Sequence, residues 1–160
     1  MPESQLFIHK TGSIAPFSDY LRIYLLLHNH DAIWSDTDNI FIKDGFDRDV
    51  VAIQQDGRIQ CSFLHFGKST IGNEIRTLIK QFVDDPLKFR EYDSRTMRKF
   101  KLNGILEKVK LSDKGNFRSQ LDWQTAGSEL YTCIFKHLGI MDLGYDYYKY
   151  FNPYKYTVQR

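Results

Sequence analysis

The sequence predicts an α+β domain: an antiparallel sheet built from two hairpins plus short strands, with about three helices packed on it. Three observations predict it. Asp56–Gly57 stands between two β-rich runs, VVAIQ and RIQCSFLHF. Residues 70–84 carry Ile71, Ile75, Leu78, Ile79 and Phe82 at helical spacing. A hairpin pattern leads into a helical pattern twice along the chain.

The elements follow in order. QLFIH, residues 5–9, suits a short first strand, and TGSIAP breaks it. Ser18 is a candidate N-cap with Asp19 in the first turn, where the helix dipole favours negative charge. Leu21, Tyr24, Leu25 and His28 continue at helical spacing, which predicts a helix over 18–29. IFIK, 40–43, reads as a short strand inside an acidic stretch. Asp-Gly meets the positive φ demand of a two-residue turn, so 50–55 and 58–66 form a hairpin. Ser69 or Thr70 caps the helix over 70–84, and Asp85–Pro86 ends it. A second hairpin pairs 105–111 with 117–123, where Phe117, Leu121 and Trp123 alternate with Arg118, Gln120 and Asp122. A third helix spans 126–138, closed by Gly139 with Ile140 as its hydrophobic follower. GNEIRTLI (72–79) and GSELYTCI (127–134) share four of eight positions, which raises a duplicated ββα unit as an expectation.

Length bounds the organisation. With 160 residues, the chain is expected to be a single domain over 1–160 that buries enough surface to fold without a metal or disulfide staple. Cys61 and Cys133 sit in apolar patterns without a CxxC neighbour, and read as packed thiols. No basic start precedes an apolar run, and no apolar run approaches the ~20 residues of a membrane helix. A cytoplasmic protein without membrane association is the expectation.

Net charge is +2, too small to make nonspecific nucleic-acid binding the default. Its distribution is uneven. Residues 31–56 hold seven acids and two bases, and residues 88–118 hold ten bases and four acids. An acidic side and a basic side follow.

HNH at 28–30 invites a metal site. On a helix, residues two apart point about 200° apart and cannot chelate one ion. The preceding run is helical, so His28 belongs to a final turn and Asn29 to its cap. An EF-hand loop starting at Asp36 would need an oxygen ligand, Gly and Glu where Ile40, Phe41 and Asp47 stand, and fails. Cys133 and His137 lie four residues apart, the spacing of a nucleophile dyad, but Cys133 falls on the apolar stripe with Leu130 and Ile134. No P-loop, GxSxG or GxGxxG is present.

The expectation reached by elimination is a non-catalytic protein-binding module of inhibitor or immunity type, with no cofactor and another protein as partner. Its candidate surface is Asp44, Asp47 and Asp49 of the acidic stretch, Tyr147, Tyr150 and Tyr154 of the C-terminal segment that holds six of the ten tyrosines, and Arg95, Arg98 and Lys99. Two alternatives remain. One is a metal-dependent nuclease or phosphodiesterase recruiting Asp44, Asp49 and Glu74. The other is nucleic-acid binding through the basic 95–101 stretch and the tyrosines.

Overall fold

The hairpin announced by Asp56–Gly57 is the centre of the molecule. In the computed structural model, which describes residues 8–9, 11–39, 49–55, 57–84, 118–119 and 126–146, β3 (Val51–Gln55) runs antiparallel to β4 (Arg58–His65). Gln55 pairs with Arg58 across the two-residue turn, and Gly57 has φ +71°. Register shifts between Ala52 and Ile53: Ala52 opposes Leu64 while Ile53 opposes Gln60. The residues of β4 so displaced from β3 turn to β2 (Trp34–Ser35), where Ser35 opposes Phe63 and the Asp36 N–H donates to Ser62 O at 2.8 Å.

β6 (Gly144–Asp146) adds a fourth strand, parallel to β3, giving the order β2-β4-β3-β6. Tyr145 and Asp146, the first residues of the tyrosine-rich C-terminal segment, lie in this strand, and the residues after Asp146 lie outside the described ones. The reason lies just upstream. Helix α3 (Ser128–His137) ends with Gly139 at φ +69°; the Ile140 N–H reaches back to Phe135 O at 2.9 Å and the Gly139 N–H to Lys136 O at 3.2 Å. This αL turn redirects the chain, buried Ile140 anchors it, and a single 3-10 turn (Met141–Leu143) delivers it to the sheet edge.

Helix α2 (Thr70–Asp84) has the expected bounds, with Ile75, Leu78, Ile79 and Phe82 buried and Ser69 Oγ accepting the Gly72 N–H at 3.1 Å as its cap. Helix α1 (Ala15–His28) differs from its expectation in start and in face. It begins three residues before Ser18, because Pro16 in the first turn gives up an N–H that has no intrahelical acceptor anyway. Its buried face is Pro16, Asp19, Arg22, Ile23 and Leu26, not Leu21, Tyr24, Leu25 and His28. Asp19 therefore faces the core as half of an ion pair and is not a solvated charge at the dipole.

β1 (Ile8–His9) pairs in parallel with β5 (Arg118–Ser119), so the 117–123 run does contain a strand, here beside the N-terminal segment. The 40–43 strand and the first strand of the second hairpin lie outside the described residues, and with them the test of a ββα repeat.

The core lies between the sheet and the helices: Ile23 and Leu26 from α1, Ala52, Ile59, Leu64 and Phe66 from the hairpin, and Leu130, Tyr131, Ile134 and Phe135 from α3 join the α2 stripe. Helix α3 is fixed to β4 by backbone chemistry as well. Ser128 Oγ donates to Ile59 O at 2.6 Å, and the Ile59 N–H donates to Thr132 Oγ1 at 2.8 Å. Two hydroxyls one helical turn apart thus satisfy the edge of β4 beyond the reach of β2.

Candidate functional site

Of the nine residues nominated from sequence, Asp49 alone lies within the described residues; Asp44, Asp47, Tyr147, Tyr150, Tyr154, Arg95, Arg98 and Lys99 lie outside them. Asp49 precedes β3 and sits at the start of α2. Its carboxylate accepts the Lys68 N–H at 3.1 Å and the Ser69 N–H at 2.8 Å. These are amides that the first turn of a helix leaves unpaired, and a negative charge is favoured beside them. The Ser69 side-chain and backbone hydrogen bonds hold the Asp49 carboxyl below the usual carboxylate range. Gly67, at φ +46°, makes the approach: a Cβ there would overlap the Asp49 carboxylate. Arg76, buried, donates to Gly67 O and to Asn73 Oδ1. Asp49 is thus engaged in holding the β4–α2 connection.

Beside it, Lys68 Nζ meets Asp31 Oδ2 at 2.7 Å, with both side chains largely exposed. That hydrogen bond lowers the Asp31 pKa. His65 Nδ1 donates to Ala32 O at 3.0 Å and ties β4 to the turn after α1.

The HNH stretch is a helix end. His28 closes α1; its Nδ1–H donates to Tyr24 O at 2.8 Å and its ring stacks on Tyr24 at 4.1 Å between centroids. Asn29 caps the helix, giving both its backbone N–H (3.0 Å) and its side-chain amide (2.9 Å) to Leu25 O. Among the described residues no three His, Cys, Asp or Glu side chains are grouped to hold a metal ion. Cys133 is buried on α3, and burial pushes its thiol up to about 12, a protonated state in which it is no nucleophile at neutral pH.

One constellation was not read from the sequence. Between α1, β2, β4 and α3, Arg22 Nη1 donates to Asp19 Oδ1 at 3.0 Å and Nη2 to Asp36 Oδ1 at 3.1 Å. The same Asp36 oxygen takes the Trp34 indole N–H at 2.7 Å, and the guanidinium lies 4.8 Å from the Trp34 ring centroid. Arg22 and Asp19 are 4% and 6% exposed, whereas the Asp36 side chain is 35% exposed. Burial raises the pKa of the nearby Cys61 thiol, opposed by the Arg22 cation. Tyr131 brings a fully buried hydroxyl whose pKa burial also raises. Gly127, the N-cap of α3, lets the helix start press against Asp19, since a Cβ there would stand 3.1 Å from that carboxylate. A spacing of three on one helix, Asp19 to Arg22, was the available signal. Nothing in the sequence joined it to Asp36, Cys61 or Tyr131.

The described surface carries four exposed large aliphatic side chains: Ile8 (46%), Ile14 (69%), Leu25 (37%) and Ile33 (54%). All belong to the first strand, the ends of α1 or the turn that follows it. Comparison with protein-family models, with curated proteins and with solved structures returns no match.

Proposed function

We propose that this chain is a non-catalytic protein-binding module, of the kind that inhibits or neutralises a partner enzyme by covering part of its surface. The observation that carries the reading is the placement of Ile8, Ile14, Leu25 and Ile33. Every large aliphatic side chain exposed among the described residues falls between positions 8 and 33. Single exposed aliphatics are ordinary; four on the first strand, α1 and the turn after it supply apolar area that a partner would cover.

The charged and aromatic candidates, taken from the sequence alone, are Asp44 and Asp47, the tyrosines Tyr147, Tyr150 and Tyr154, and Arg95, Arg98 and Lys99. Charge would steer the encounter, and buried aromatic anchors would slow dissociation. Asp49 stays in this set as an exposed carboxylate whose two amide hydrogen bonds also hold the start of α2.

The test is affinity capture from host lysate at near-physiological salt, comparing the parent chain with Ile14→Ser/Ile33→Ser and with Tyr147→Ala/Tyr150→Ala/Tyr154→Ala. The expected result is a stoichiometric protein partner, retained by the parent and lost from at least one variant whose thermal unfolding is unchanged. Recovery of nucleic acid alone, with an affinity that falls steeply with salt, would replace this reading by nucleic-acid binding.

A further inference from the structure

We draw no further inference here: the strongest candidate, the cluster of Asp49, Lys68, Ser69 and the buried Arg76 guanidinium at the start of α2, is a helix N-terminus whose Lys68 and Ser69 amides are already taken by the Asp49 carboxylate and whose guanidinium already donates to Gly67 O and Asn73 Oδ1, with no observation that points to an outside ligand.

Discussion

Two charged clusters lie close in the chain and behave oppositely. Around Arg22, two carboxylates, an indole and a thiol surround a guanidinium that is 4% exposed. Around the start of α2, Asp49 and the Lys68–Asp31 pair use hydrogen bonds of similar length on an open surface. The difference is the alternative each charge has when its partner is removed. An exposed Lys68 turns to water. A buried Asp19 that loses Arg22 stays out of water without the guanidinium that offsets its charge, so the pair is worth little as an attraction and much as a mutual obligation.

Substitutions that break one side of that contrast should separate the clusters. Arg22→Met, which takes the guanidinium away from buried Asp19, should cost about 3–5 kcal/mol in chemical denaturation; a loss below 1 kcal/mol would mean that the cluster is more hydrated than its burial indicates. The double variant Asp19→Leu/Arg22→Met should recover a large part of that loss, since no carboxylate then stays buried without its cation.

Next in size is Gly72→Ala at the surface-side cluster. A Cβ there would overlap the Phe66 carbonyl, so α2 must move against β4, at a cost of about 1–3 kcal/mol. This sits against the general gain from replacing helical glycine, and a stabilised variant would contradict the packing.

Asp49→Asn should cost about 1 kcal/mol at neutral pH, the scale of an N-terminal cap. The sign in pH follows from the lowered carboxyl. Its stabilisation is present above the ordinary value of ~3.9 and fades as pH falls through the lower folded value. The parent and Asp49→Asn should therefore converge in acid. A gap that stays constant down to pH 2 would assign the effect to something other than ionisation. Smallest of all, Lys68→Ala should leave Tm unchanged at physiological salt, since both members of its pair are exposed and screened.

The same contrast explains what was legible beforehand. Helix α2 follows rules that act over one or two turns, a Ser cap and an apolar stripe, and its bounds were readable. The hairpin needed only Asp-Gly between two β-rich runs. Helix α1 was misread in its face because apolar periodicity is blind to a charge buried by pairing: Arg22 and Asp19 face inward only because Asp36, Trp34 and Tyr131 come to meet them. The part Asp49 plays at the start of α2 was illegible for a related reason. Its amide partners lie 19 and 20 residues away, too distant for any local pattern to reveal. Strand β6 escaped because its neighbour β3 lies some ninety positions earlier and is parallel to it.

The clasp of Ser128 and Thr132 on Ile59 also orders events in time. It joins positions 69 and 73 residues apart, while the hairpin around Asp56–Gly57 closes across two. Loop closure favours the short connection, so β3 and β4 can associate before α3 arrives. The Ile59 amide, whose acceptor is on α3, thus becomes a clock for the last step of assembly. In pulse-labelling exchange it should gain protection after the amides paired across the hairpin, and in the native protein it should open whenever α3 undocks, even while the hairpin beneath stays closed.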